Sequence, residues 1–180
     1  EALGEPGDWY LARDGELTYV PMPGEKPETA EAWAGLREHA LVITGQTNVV
    51  IRGVTFAYTG WNMPEEGQKY PQAGANVPAA VLVTNSKNVR FEDCAFVHTG
   101  GYGLEFGAGA VDCSAVRCEF FDLGAGGVAI GHGWEKDRSL TLSRGCTVED
   151  CIIAGNYARN GGAGCNITFR RCKVYGNHAQ

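Results

Sequence analysis

The sequence is missing the marks of several common function classes. No apolar run among its 180 residues is long enough to span a bilayer, and no run of basic residues occurs in a chain of formal net charge −6. Both absences argue against a membrane or a nucleic acid as partner. There is no CxxC pair, and His39, His98, His132 and His178 are scattered, so neither a metal nor any other cofactor is expected. The glycines between Gly124 and Gly127 are not followed by Lys-Ser or Lys-Thr, which rules out a phosphate-cradling loop of the usual kind. No Ser or Cys stands out as a nucleophile. No secretory leader is visible and the first residue is Glu1, so a mature or excised piece is expected, with any export signal outside it.

What is present is an ordinary core-forming composition with two excesses. Hydrophobic residues make up 44% and charged residues 20%, enough for one domain. Glycine, at 26 residues, is about twice its usual share. The seven cysteines are odd in number and raise the question of a disulfide framework.

A repeat answers that question better. Val54 and Phe56, Cys94 and Phe96, Cys118 and Phe120, Cys151 and Ile153, and Cys172 and Val174 each form an apolar step of period two, the periodicity of a strand. A second apolar pair precedes each of them: Val49 and Ile51, Val89 and Phe91, Cys113 and Ala115, Cys146 and Val148, Ile167 and Phe169. Successive Cys steps are 24, 33 and 21 residues apart. A further strand recurs at GLEFG (103–107) and GVAIG (127–131), with AVLV (80–83) one unit earlier. Short strands, glycine-rich corners and a unit of roughly two dozen residues describe a β-solenoid. The expected fold is therefore all-β, a right-handed parallel β-helix of about five coils, with residues 48–180 as the solenoid.

In this register Cys94, Cys118, Cys151 and Cys172 form one column and Cys113 and Cys146 another. A free Cys packs well as a small apolar residue on an inward ladder. Coils about 4.8 Å apart also leave room for a disulfide within a column. Cys165 has no column partner and is expected to be a free thiol. Residues 1–47 read as an N-terminal capping segment. A hairpin over 9–20 turns at Asp14-Gly15, Pro21, Pro23 and Pro27 break the chain, and a short helix over 29–39 has Thr29 as its N-cap. Residues 62–78 and 132–143 read as loops leaving the coils.

The stretch PGDWYLARDGELTYVP (6–21) resembles the entry hairpin of bacterial right-handed β-helix repeat proteins related to β-helical glycoside hydrolases of the α-L-fucosidase and xylanase type. IRGVTF (51–56), TGW (59–61), QAG (72–74) and VPAAV (77–81) extend the similarity, and HTGGYG (98–103) and DLGAGGV (122–128) carry it most strongly. It covers residues 6–131. At 154–160 the chain reads AGNYARN where a further acidic loop is expected. The resemblance implies an extracellular or periplasmic protein that acts on a polysaccharide or oligosaccharide.

The position four residues after each Cys step reads Tyr58, His98, Asp122, Gly155, Gly176. It puts His98 and Asp122 on adjacent coils, and its glycines leave a recess. Glycoside hydrolysis takes two carboxyl groups, about 5–5.5 Å apart for retention and about 6.5–9.5 Å for inversion. Asp122 and His98 are candidate catalytic residues, and Glu105, Glu135 and Asp137 are candidates for the second carboxylate. Trp61, Tyr102 and Trp134 are candidate platforms for sugar rings. The competing structural reading makes Asp122 a corner cap on backbone N–H groups and His98 its satisfied partner. Glu92, Asp93, Glu149 and Asp150 read as solvated corner residues. A non-catalytic β-helix, stacking end to end through its C-terminal coil or binding at a surface, is the alternative function.

Overall fold

The computed structural model describes residues 3–67, 77–131, 142–154, 164–165 and 168–176. It divides into two compact units, residues 1–33 and 34–180. In the first, β1 (Trp9–Leu11) and β2 (Leu17–Tyr19) pair antiparallel with Trp9 opposite Tyr19. Gly15, at φ +94°, provides the left-handed residue of the connecting turn, as the Asp-Gly pair predicts. The Asp8 carboxylate accepts the N–H groups of Gly4 and Glu5 at 3.1 and 2.9 Å.

The helix expected over 29–39 does not form. A single 3-10 turn covers Pro27–Thr29, Thr29 closes that turn rather than opening a helix, and Ala30 is extended at ψ 131°. The demand on residues 35–37 is lateral. The N–H of Gly60 donates to the Arg37 carbonyl at 2.9 Å, and a Cβ on Gly35 would lie 2.3 Å from the Gly60 nitrogen. A backbone spent on a neighbouring strand's corner cannot also close helical hydrogen bonds.

The second unit is a stack of coils. The first coil carries β3 (Leu41–Thr44), β4 (Thr47–Arg52) and β5 (Thr55–Ala57), and the second β6 (Ala79–Thr84), β7 (Lys87–Glu92) and β8 (Ala95–Thr99). The third carries β9 (Tyr102–Phe106), β10 (Ser114–Val116) and β11 (Glu119–Leu123). The fourth carries β12 (Val128–Ile130), β13 (Ser143–Arg144), β14 (Thr147–Glu149) and β15 (Ile152–Ala154). The fifth carries β16 (Gly164–Cys165), β17 (Thr168–Arg170) and β18 (Lys173–Tyr175). The strands stack as three parallel sheets, β3-β6-β9-β12, β4-β7-β10-β14-β17 and β5-β8-β11-β15-β18, called here the first, second and third sheet, with a short β13-β16 pair beside them. Residues 41–44, read from the sequence as part of the capping segment, form β3 and pair in register with β6, Leu41 opposite Val81 and Ile43 opposite Val83.

The repeat register is the observed one. Phe56, Phe96, Phe120, Ile153 and Val174 fall in line across the third sheet. Phe56, Phe96 and Phe120 stack ring on ring, with centroids 5.2 and 4.7 Å apart, and Phe91 meets Phe96 edge-on at 6.0 Å. Together with Val81, Val83, Leu104, Phe106 and the cysteines they form one buried core. Offset and edge-to-face ring pairs add about 0.5–1.5 kcal/mol each beyond burial.

The corners are the less expected feature. Left-handed residues mark the edges of the second and third sheets, and they stack in columns. Asn48, Asn88, Asp112 and Gly145 stand at or just before the start of the second sheet's strands, Gly53, Asp93, Arg117, Asp150 and Arg171 follow them, and Tyr58, His98, Asp122 and Gly176 stand at or just after the end of the third sheet's. A non-glycine residue there costs about 1–2 kcal/mol, so the ten in these columns need a compensating architecture. Stacking provides it. The corner N–H of Asp93 reaches the Val116 carbonyl one coil on at 3.0 Å, and Arg117 and Asp150 repeat the bond to Glu149 and Arg170.

This geometry also explains the cysteines. Cys94, Cys113, Cys118, Cys146, Cys151 and Cys172 each directly follow a left-handed corner residue, and all six are free thiols. Each S–H donates to the carbonyl two residues back, from 3.2 Å at Cys151 to 3.8 Å at Cys146. The side chain after such a corner turns inward into little space and meets a carbonyl, so a small residue with a weak donor suits it. The core-ladder reading thus describes all six. The side chain of Cys165 lies outside the described residues.

Candidate functional site

The corner column after the third sheet is the one the sequence marks for chemistry. β5, β8 and β11 deliver Tyr58, His98 and Asp122 to the same position on three successive coils, each at φ between 52° and 57°. His98 Nδ1 lies 2.7 Å from Asp122 Oδ2. Since a carboxylate only accepts, Nδ1 carries the proton and donates, which leaves Nε2 of a neutral ring as a proton acceptor. The Tyr58 ring covers the imidazole, centroids 5.5 Å apart and planes within 15°. The pair stays in water, with side chains 45% and 64% exposed. Asp122 thus turns its carboxylate to His98 one coil back, the contact that the catalytic and the structural readings both expect.

Two further residues belong to this surface and follow from strand parity. In β11, Phe120 and Leu123 point inward, so Glu119 and Phe121 face out, and both are exposed. Phe121 lies in line with half-buried Val97 and buried Ala154, and its own exposed ring gives the outer face an apolar element beside the His98–Asp122 pair. The alternation of EFFDL contains this information once Phe120 is assigned to the core, but the sequence reading kept only the corner residues.

The other candidates are not gathered there. Glu105 faces outward on the first sheet, in line with Leu82 and Ala129. Tyr102 is no platform: it is 5% exposed, packs with Val77, Ala79 and Ala125, and lies over Gly126, whose Cβ would sit 2.4 Å from its ring. Trp61 packs against the same cluster and is half-buried. Trp134, Glu135 and Asp137 lie outside the described residues, as does Gly155. Two positions beyond the corner the coils are packed backbone to backbone. Gly60, Gly100 and Gly124 are in contact from coil to coil, and a Cβ on Gly124 would lie 2.4 Å from the Gly100 carbonyl oxygen.

The acidic residues at the corner after the second sheet need a correction too. Glu92 is not solvated. Its side chain is 8% exposed and paired with Arg52 and Arg90, with Arg117 3.9 Å away. The hydrogen bond from Arg52 is the main force holding its carboxyl below the ordinary range, against the cost of burial. Asp93 and Asp150 are exposed but clasped, by Arg117 at 2.7 and 2.9 Å and by Arg171 at 2.6 and 2.7 Å, and these bonds lower both carboxyls. This corner is an alternating charge ladder, and its groups are spent on one another.

A search of curated proteins and one of solved structures found no match. The family model described as a right-handed β-helix region matches residues 33–177, four-fifths of the chain, and runs over every coil described above. The chain belongs to the right-handed β-helix family.

Proposed function

We propose that the outer face of the third sheet and its corner form a carbohydrate-binding surface, and that the protein is a carbohydrate-active β-helix acting on a polysaccharide or oligosaccharide. One observation carries the reading: Tyr58, His98 and Asp122 are presented in line on three coils beside the exposed ring of Phe121. The apolar C–H face of a sugar packs on an aromatic face, while its hydroxyls need donors and acceptors within reach. This surface offers both. The other two corners differ, since Asn48 and Asn88 bond each other at 2.7 Å and the Asp–Arg ladder is self-neutralised.

For glycoside hydrolysis, His98 Nε2 or Asp122 would move the proton and a second carboxyl would complete the pair. Glu119 is on the same face, and Glu135 and Asp137 remain candidates. The test is a screen of fucosides, xylans and related glycans for binding and for reducing-end release, with Asp122→Asn beside the wild type. Binding lost in Tyr58→Ala supports the surface, and hydrolysis lost in Asp122→Asn supports the enzyme. Hydrolysis unchanged in Asp122→Asn removes the catalytic assignment.

Self-association through the fifth coil is a second reading. Phe169 and Val174 continue the inward columns of Phe91 and Phe96 but are 47% and 63% exposed. Another subunit's strands laid on β17 and β18 would cover them. Light scattering tests it: concentration-dependent growth in mass that Val174→Glu abolishes supports stacking, and a monomer at all concentrations excludes it.

A further inference from the structure

The thiols are not evenly engaged along their columns. Ala115 lies opposite Val148, which sets Cys113 opposite Cys146, and Glu119 lies opposite Ile152, which sets Cys118 opposite Cys151. In its column Cys113 has Val89 on its other side and Cys146 as its one Cys neighbour, and the Cys118 N–H donates to Cys151 Sγ at 3.4 Å. The pairs stand at the two ends of the β10–β14 strand pair and both span the junction of the third and fourth coils. Stacked strands set Cα atoms about 4.8 Å apart, within the roughly 4.4–6.8 Å a disulfide takes. All six thiols meet carbonyls of their own and the preceding coil, and the register sets Cys94 opposite Cys118 and Cys172 opposite Cys151 as well; within that column the N–H-to-Sγ hydrogen bond joins Cys118 to Cys151.

We propose that this junction is an oxidative modification site, where Cys113–Cys146 and Cys118–Cys151 close as two disulfides when the chain folds in the presence of a small-molecule disulfide such as oxidised glutathione. A thiolate of each pair attacks the glutathione disulfide, forming a mixed disulfide and releasing one glutathione thiolate. Its partner thiolate then attacks the protein sulfur and releases the second. Overall two Cys S–H groups are oxidised to one S–S bond, and one glutathione disulfide is reduced to two glutathione thiols. The step belongs to folding, before β14 and β15 dock. Once they have docked, the four sulfurs are 0–1% exposed and a reagent has no approach. The two rungs then bind the fourth coil to the third over the 33 residues from Cys118 to Cys151, the longest interval between Cys steps.

The test is to refold the reduced, denatured full chain in a glutathione redox buffer, block free thiols with iodoacetamide, digest without reduction and map the linked peptides by mass. The expected result is two linked pairs, Cys113–Cys146 and Cys118–Cys151, each lighter by two hydrogens, with Cys94 and Cys172 alkylated. The oxidised protein should also unfold at higher denaturant than the reduced one. All seven cysteines alkylated, or links through Cys94, Cys165 or Cys172, would overturn the assignment. In Cys146→Ala, the Cys118–Cys151 link should persist with Cys113 alkylated. Transfer of Cys113 to another partner would count against it as well.

Discussion

Arg52, on the first coil, donates through Nε to Glu92 Oε2 on the second at 2.7 Å, and Glu92 is buried beneath it. The same corner continues down the stack as Asp93–Arg117 and Asp150–Arg171. Opposite charges thus hold a column whose backbone is strained at every non-glycine corner.

These carboxyls fix how stability responds to acid. Glu92, Asp93 and Asp150 have folded-state pKa values below their ordinary ones, so the unfolded chain takes up protons first. Their stabilisation is complete above about pH 5 and is lost as pH falls through the ordinary carboxylate range, about 3.9–4.3, and then through the lower folded values. Urea midpoints measured from neutral pH downward should fall across that range. The Asp93→Asn, Asp150→Asn double variant should be less stable at neutral pH and show a shallower fall. A wild type whose midpoint ignores pH would contradict the ladder.

Strand parity makes a contrast of two phenylalanines. Phe96 is fully buried between Phe56 and Phe120, and Phe96→Ala should cost about 3–5 kcal/mol. Phe121, 53% exposed on the outer face, should cost within about 0.5 kcal/mol as Phe121→Ala. Denaturant unfolding distinguishes the two, and a reversed order would mean the register is off by one.

Glycines offer a second contrast. A Cβ on Gly124 would lie 2.4 Å from a backbone oxygen of the preceding coil, so Gly124→Ala must separate coils and should cost about 1–3 kcal/mol or more. Gly45 has open space around it and only a φ of +68° to constrain it, so Gly45→Ala should cost about 1 kcal/mol. Equal effects would show that conformation rather than contact sets the penalty.

The fold was legible because a solenoid writes its register into the sequence. Cys94, Cys118 and Cys151 recur at inward positions, and their register aligns the coils although the intervals between them differ. Leu41–Thr44 escaped because the first coil lacks the Cys that marks the others. Residues 29–39 look helical by composition, but a backbone hydrogen bond at Arg37 and the closeness of Gly35 to Gly60 override that propensity. Glu92 was misread because parity shows that a side chain faces outward, not that arginines on neighbouring strands cover it. Tyr102 was misread for a related reason: its burial depends on Gly126 and Ala125, one coil away. At the candidate site, the His98–Asp122 contact followed from register, while Glu119 and Phe121 needed the parity of β11.

The His98–Asp122 row should contribute little to folding if its role is recognition. His98→Ala and Tyr58→Ala remove exposed side chains and should shift stability by less than about 1 kcal/mol. Thermal unfolding of each variant checks this. A loss as large as that from Phe96→Ala would make the row a structural ladder like the other two corners.

The most direct test of the carbohydrate-binding account is calorimetric titration of the wild type, Tyr58→Ala and Phe121→Ala with xylan-derived and fucosylated oligosaccharides. The account predicts that the wild type binds at least one of them and that each variant binds it at least about tenfold more weakly, a loss of about 1.4 kcal/mol, with its unfolding midpoint unchanged. No binding by the wild type, or equal binding by all three, would contradict it.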